Sequence, residues 1–491
     1  MRITRRNLAS LDHGGSEMTI HACRWLLMVA FVSMVRFAVA ADPIRVDASS
    51  STGRIRPLHG VNNGPLNHGE TVDVSAAWKR LAVPSTRLHD SEWPAADMVD
   101  MHAVFPDLTA DPQSPASYRF SRTDDYIAPI VASGSGIVYR LGESIEHTKR
   151  KFHVHPPRDY DRWTQGCLGI IRHYNEGWAD GHRHQIRYWE IWNEPENRPS
   201  MWSGSDDDYF RLYVTAARAI KQKYPDLKVG GPAVGASGDI VDGNYRPTEF
   251  MRSFLKACRT ADAPLDFFSW HTYTNDPGLY ARKAHGIRKW LDAEGFTKSE
   301  IHLNEWNYLA GNDWGPMLNT ADPTARDRWY AEMGGIPGAT FVTSALIGFQ
   351  DSPLDVANYY SGDSSPFGLF GRFGTPKKTY YGFLAFRHLL ETPLRVSAAA
   401  RSHEQPWTLA GLNESRTELR VLISHSKPSG ARQPVVIENL PWSGPTEIQI
   451  LHLDDDLNLE PVHRETLEAP GESIDRHVPG TGVVVLRVWK K

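Results

Sequence analysis

YWEIWNEPE, residues 188–196, places three glutamates and two tryptophans within nine positions. The aromatic and β-branched content of 187–193 favours a strand, and Pro195 ends the ladder just beyond it. A buried carboxylate costs several kcal/mol unless it is paired, so each glutamate needs its own explanation. A strand rises about 3.3 Å per residue, which sets Glu190 roughly 13 Å below Glu194. Glu190 therefore reads as a paired structural carboxylate in the strand body. Glu194 stands where the strand ends. Glu196, past the proline, reads as solvated or as a contact on a substrate rim.

The same texture recurs on either side of this stretch. β-like runs occur at IRPLHGV (55–61), STRLHD (85–90), GIVYRLG (136–142), RYWEIWN (187–193), LKVGGPA (227–233), DFFSWHTY (266–273), EIHLNEW (300–306) and TFVTSALIGF (340–349). Amphipathic helical patterns separate several of them. The clearest is 205–226, with Ser205 as N-cap, Asp206 to Asp208 at the positive end of the helix dipole, and Phe210, Tyr213, Val214, Ala217 and Ile220 at helical spacing. Residues 250–260 and 326–333 carry similar patterns. Alternating strands and helices over this length predict an α/β fold, a (β/α)₈ TIM barrel over 54–391 ending in the helix 380–391. A doubly wound open sheet would carry a glycine-rich phosphate loop after its first strand, and HGVNNGP is not one.

Beyond 391 the pattern changes to short alternating runs: TELRVLISHS, PVVIENL, TEIQILHL and GVVVLRVW, parted by turn residues. That predicts an all-β sandwich over 392–491, joined by an early strand within 41–53. Cys167 falls in the helix before the fourth strand and Cys258 in the helix before the sixth. Such helices are not neighbours around a barrel, so both are predicted to be free, buried thiols.

Residues 1–40 read as a signal peptide. Arg2, Arg5, Arg6 and Arg24 precede an apolar run of 11 residues, 25–35, and Ala38-Val39-Ala40 forms a small-x-small cleavage site. Met18 is an alternative start. The apolar run is too short to span a bilayer, so no stable membrane insertion is expected. The chain is expected to be exported to the periplasm or the medium after cleavage near Ala40. Cleavage would leave 49 basic and 56 acidic residues, a net charge of −7. That balance argues against nucleic acid as a partner. The sequence sets no oligomeric state.

In a barrel of this kind chemistry sits at the C-terminal ends of the strands. Asn193-Glu194 ends the fourth run beside Trp192, and Asn304-Glu305 ends the seventh beside Trp306. Two opposed carboxylates suit glycosidic bond cleavage, in which one donates a proton and the other attacks carbon or activates water. A separation of about 5–5.5 Å retains the anomeric configuration and about 6.5–9.5 Å inverts it.

The ordered block YWEIWNEP, MWSGSDDDYFRLYVTAARAIK, LKVGGPA, DFFSWHTY and IHLNEWNY resembles glycoside hydrolase family 39, which includes β-xylosidases and α-L-iduronidases. The resemblance spans roughly 55–391 and is strongest from 160 to 310. It implies a retaining enzyme without cofactor or metal, acting on an oligosaccharide or glycoside. Glu194 matches the acid/base and Glu305 the nucleophile. Asn193 would bond the sugar 2-hydroxyl. Trp270, His271 and Tyr273 match the sixth strand end, where His271 would line the sugar subsite and Tyr273 would bond the nucleophile. His89 resembles a sugar-contacting histidine, and Trp306 follows the nucleophile. The proton affinity of Glu194 should be raised while Glu305 is ionised. A β-xylosidase-like exo-enzyme fits best. The alternatives are α-L-iduronide, β-glucoside, β-galactoside or α-L-arabinoside as substrate, endo action, transglycosylation, or a non-catalytic carbohydrate binder. An α-L-iduronide would need a basic partner for its carboxylate, for which Arg140 is the one candidate. The loop 90–107 departs from the family, with Asp90, Glu92 and Trp93 shaping the subsite, and Arg140 and Glu143 have no family role.

Other signals carry less. His153-Val154-His155 and His182-Arg183-His184 have no Cys or Asp cluster beside them in the sequence, so no metal is expected there. HLDDDLNLE (452–460) lacks the glycine and spacing of an EF-hand loop. No G-x-S-x-G elbow is present.

Overall fold

The computed structural model describes residues 42–69, 71–91, 95–399, 406–425 and 432–491. The leader, Cys23, Glu92 and Trp93 lie outside the described residues. Eight parallel strands close into a barrel: Gly60–Asn62, Ser85–Arg87, Gly136–Leu141, Tyr188–Ile191, Lys228–Val234, Phe267–Thr274, Glu300–Tyr308 and Val356–Tyr359, the eighth pairing back onto the first. The fold is thus a (β/α)₈ barrel followed by a β-sandwich.

Local sequence explains the helices that brace it. The helix Asp206–Lys223 begins in a capping box: Ser205 Oγ accepts from the Asp208 amide, and the Asp208 carboxylate accepts from the Ser205 amide. Tyr209, Phe210, Leu212, Tyr213, Ala216, Ala217 and Ile220 form its buried face. Cys167, in helix Tyr160–Glu176, and Cys258, in helix Glu249–Thr260, are both free and buried.

The eighth strand is not where the sequence pattern put it. TFVTSALIGF belongs to helix Ile336–Gly348, in which every residue from Gly338 to Gly348 is buried. A continuous apolar run does not distinguish a buried strand from a helix covered on all sides. This helix is covered by the barrel on one flank, by helix Lys378–Leu389 on another, and by the sandwich sheet, where Ser424 Oγ donates to the Thr340 carbonyl at 2.9 Å. The true eighth strand, Val356–Tyr359, has only four residues.

The sandwich is a nine-stranded sheet in the order Asn458–Leu467, Thr446–Leu453, Gly482–Lys490, Glu418–His425, Trp407–Leu412, Leu394–Ala399, Ile44–Arg54, Gln433–Glu438, Ser473–Val478. The strand Ile44–Arg54 lies inside it, antiparallel to Leu394–Ala399 and parallel to Gln433–Glu438. Strand alternation separates its two apolar faces. Val421, Ile423, Val484 and Leu486 fill the sandwich interior, while Leu422, Val483 and Val485 join the core of the barrel. Among the described residues no helix is long and apolar enough to cross a membrane.

Candidate active site

The fourth strand ends in left-handed backbone, with φ of 71° at Trp192 and 45° at Glu194. Non-glycine residues rarely adopt this conformation, and it clusters at functional sites. The Glu194 amide donates to the Ala233 carbonyl at 3.0 Å, which anchors the turn to the end of the fifth strand. Gly235 lies directly against the carboxylate, since a Cβ there would stand 2.6 Å from Glu194 Oε1. Any side chain at 235 would displace Glu194.

Glu305 enters from the seventh strand. The ladder to the sixth strand slips by one residue between Trp270 and His271. As a result Asn304 and Glu305 both reach inward: Asn304 Nδ2 donates to Glu190, and Glu305 faces Glu194 across the mouth. Tyr273 donates its hydroxyl hydrogen to Glu305 Oε1 at 2.6 Å, and Arg87 Nη1 donates to Oε2 at 3.3 Å. His271 Nδ1 donates to Glu194 Oε1 at 2.8 Å and lies 3.7 Å from Glu305 Oε2. One donor atom from each of Glu194, His271 and Glu305 lies within 4.8 Å of the others. These three groups are close enough to hold a divalent cation, but the His271 proton already sits between the two carboxylates.

Beneath them lies a buried floor. Arg87 donates through Nε to Glu190 Oε2 at 2.7 Å and through Nη2 to Asn193 Oδ1 at 2.6 Å, with no side-chain exposure of Arg87 or Glu190. Glu190 is thereby paired inside the strand body, and Asn193 is held at the rim of the floor. His89 lies two residues beyond Arg87, just past the end of the second strand, and its Nε2 is 3.6 Å from Glu305 Oε2. Asp90 contacts His89 and accepts from the Tyr360 hydroxyl at 3.0 Å. The Nε2 atoms of His89 and His271 are buried without a hydrogen-bond partner beside the two carboxylates.

Electrostatics reverse one expectation. Burial raises the Glu194 carboxyl, but the hydrogen bond and charge of His271 outweigh it, so the net shift is downward. Burial disfavours the His271 imidazolium, but Glu305 and Glu194 hold it and raise its proton affinity overall. Glu194 was expected to be pushed up by Glu305; instead His271 lowers it, and the imidazole between the two carboxylates has its own proton affinity raised. Burial, then the charge of Glu305, pushes Tyr273 well above its ordinary value, so it remains a donor. Burial, then the charge of Glu194, pushes Glu196 up to about 7. Glu196 is not a solvated rim residue: Oε1 accepts from the Ala236 amide at 2.8 Å and Oε2 is shut off from solvent.

Two proposed substrate contacts are corrected. Trp270 and Trp306 have no exposed surface and belong to the core cluster. Trp306 packs edge-on against Tyr280 at 5.6 Å and Phe349 at 5.0 Å, on the outer wall of the barrel. Each neighbours a residue that faces the mouth, and strand alternation turns each of them away from it. The aromatic surface at the mouth comes from elsewhere: Trp314, 36% exposed, stands edge-on to Tyr273 at 5.0 Å. Arg140 is fully buried and engaged by Asp100 and by Ser144 Oγ at 2.7 Å, so it is unavailable to a substrate carboxylate. Glu143 pairs with His102 beside it.

Sequence reading passed over Arg87, although RLHD places it on the same face as His89. It also passed over Tyr360, because the eighth strand was assigned elsewhere.

A family model described as Glycosyl hydrolases family 39 matches residues 98–287. A β-xylosidase of Geobacillus stearothermophilus is 27% identical over 262 residues, covering 49% of this chain and 48% of its own. A β-xylosidase of Caldicellulosiruptor saccharolyticus is 28% identical over 270 residues, covering 48% and 49%. The chain thus spans about half the length of the curated relatives it matches. The fold also matches a glucosidase of Croceicoccus marinus, with a TM-score of 0.76, 24% identity and coverage of 92% and 99%. A monomeric β-xylosidase of Caulobacter crescentus CB15 matches with a TM-score of 0.65, 15% identity and coverage of 91% and 99%.

Proposed function

We propose that the chain, whose residues 98–287 match the model of glycoside hydrolase family 39, is a retaining glycosidase of that family acting on β-xylosides. The observation that carries this reading is the pair of carboxylates at the barrel mouth, Glu194 just past the fourth strand and Glu305 within the seventh, with oxygens within 4.8 Å of each other. Such closeness suits direct attack on carbon and leaves too little room for the water that inversion needs.

Glu305 attacks the anomeric carbon while its charge is held by Tyr273 and Arg87. The leaving oxygen takes a proton from Glu194, which draws it from His271 across their hydrogen bond. As Glu305 becomes an ester its negative charge is lost, so its hold on the His271 proton weakens in step with that proton's departure. Glu194, now ionised, takes a proton from water as the hydroxide oxygen attacks the anomeric carbon and releases Glu305. The proton then returns to the Glu194–His271 pair, which restores the starting state. Asn193, His89 and His271 supply polar contacts to sugar hydroxyls in this scheme.

The choice of a β-xyloside is supported by the two β-xylosidases described above, each matched over about half its length. The capture of Arg140 by Asp100 removes the basic partner that an α-L-iduronide would require. We further propose export after cleavage near Ala40, supported by the basic, apolar and small-residue pattern of 1–40.

The test is hydrolysis of an aryl glycoside panel containing β-xyloside, β-glucoside, β-galactoside, α-L-arabinoside and α-L-iduronide, with the first-formed anomer read by NMR. β-Xylose as the initial product supports both parts of the proposal. An inverted product would overturn retention, and preference for another sugar would overturn the substrate.

A further inference from the structure

We propose that Asp124, His173 and His182 form a structural site for a zinc-class divalent metal on the outer helical layer of the barrel. Asp124 lies in the first turn of helix Ser121–Ala132, and His173 in the last turn of helix Tyr160–Glu176. His182 belongs to the loop leading into the fourth strand. Read alone, the His182-Arg183-His184 segment shows no ligand set, but folding brings two further donors to it.

The hydrogen bonding of His173 carries the argument. Its Nδ1 is 3.0 Å from the Trp178 carbonyl, which can only accept, so Nδ1 holds the ring hydrogen. In the neutral ring Nε2 then presents a lone pair, and it faces Asp124 Oδ1 at 2.9 Å. A carboxylate oxygen and an imidazole lone pair repel at that distance, so either a second ring proton or a metal cation lies between them. His182 Nε2 approaches the same oxygen at 3.4 Å. Donors bound to zinc at about 2.0–2.1 Å in tetrahedral geometry stand roughly 3.3 Å apart, and all three atoms here lie within 4.8 Å of one another. The bond from Nδ1 to a carbonyl is the outer contact that fixes the tautomer of a metal-bound histidine.

The surroundings hold the donors in place. The His182 amide donates to the His173 carbonyl at 2.7 Å, tying the loop to the helix end. A Cβ at Gly181 would stand 2.3 Å from that carbonyl and 2.6 Å from His173 Nδ1, so the loop can fold this closely only with glycine there. Phe120 stacks on the His173 ring at 3.6 Å. Asp124 and His173 line a surface cleft of about 1330 Å³, so the donors are reachable from outside. Two imidazoles and one carboxylate favour zinc over calcium or magnesium.

The chelator-treated protein would be titrated with zinc, reading bound metal per chain and melting temperature. The expected result is one tightly held zinc at this site and a rise of a few degrees. His182→Gln and Asp124→Asn should each weaken this binding more than tenfold and abolish the rise, while Glu305→Gln, in the catalytic mouth, should leave both unchanged. His182 is 35% exposed, so its variant should fold, which circular dichroism would check. Absence of micromolar binding would overturn the proposal. So would binding that survives both variants, or binding lost only in Glu305→Gln, which would place the metal between the catalytic carboxylates. A pair held by a proton alone would show no zinc-dependent melting.

Discussion

At the scale of single residues, the site is a chain of charges alternating in sign: Glu190, Arg87, Glu305, His271, Glu194. Each charge is tolerated in the interior because its neighbour compensates it. Glu305→Gln and Glu194→Gln should keep the fold and lower turnover of an activated aryl glycoside; for Glu305→Gln the drop should exceed about 1000-fold. Near-normal turnover in Glu305→Gln would remove its role. Tyr273→Phe removes one hydrogen bond to a charged oxygen, worth about 1.5–3 kcal/mol, so kcat/KM should fall roughly 10- to 100-fold. The Glu194–His271 pair also sets a pH window. A raised imidazole stabilises the fold fully below its unfolded value of 6.5, and the benefit is lost as pH rises through the folded value. A lowered carboxyl stabilises above its ordinary 4.5, and that benefit is lost as pH falls through the folded value. The melting-temperature difference between wild type and His271→Gln should therefore be largest between pH 4.5 and 6.5 and shrink on both sides. A difference independent of pH would mean that His271 acts by packing alone.

At the scale of elements, the instructive helix is Ile336–Gly348. Its length and apolar content match a core strand as well as a helix, and neighbours decided which it became. Leu346 has no exposed surface, and Leu346→Ala should cost about 2–5 kcal/mol in denaturant unfolding. A cost under about 1 kcal/mol would show that the site collapses around the gap. By contrast, helix Asp206–Lys223 is specified locally by its cap and apolar spacing, and its span agrees closely with the sequence pattern. The misassigned eighth strand also hid Tyr360, which lies one residue beyond Val356–Tyr359 and reaches Asp90.

At the scale of the whole molecule, the strand Ile44–Arg54 completes the sandwich by joining two strands that have no other link between them in the sheet order. Beginning the chain at Ile55 should expose the edges of Leu394–Ala399 and Gln433–Glu438 and give an aggregating or much less stable protein. Beginning it at Ala41 should give a cooperative melt, and equal melting of both forms would show that the sheet closes without this strand. Much of the architecture was legible in the sequence because periods of 2 and 3.6 are local: the alternating barrel elements and the change of texture past 391 need no knowledge of partners. Glu194 was legible for the same reason, since a strand's direction and its terminal proline place it; Glu305 was read as a strand end, whereas the seventh strand runs on to Tyr308. What only the tertiary structure decided depends on groups distant in the chain. It turned Trp270 and Trp306 into the wall, set the His271 imidazole between two carboxylates, and joined Asp124 to His173 and His182. Charge, burial and coordination are properties of neighbours in space, and no window of sequence contains them.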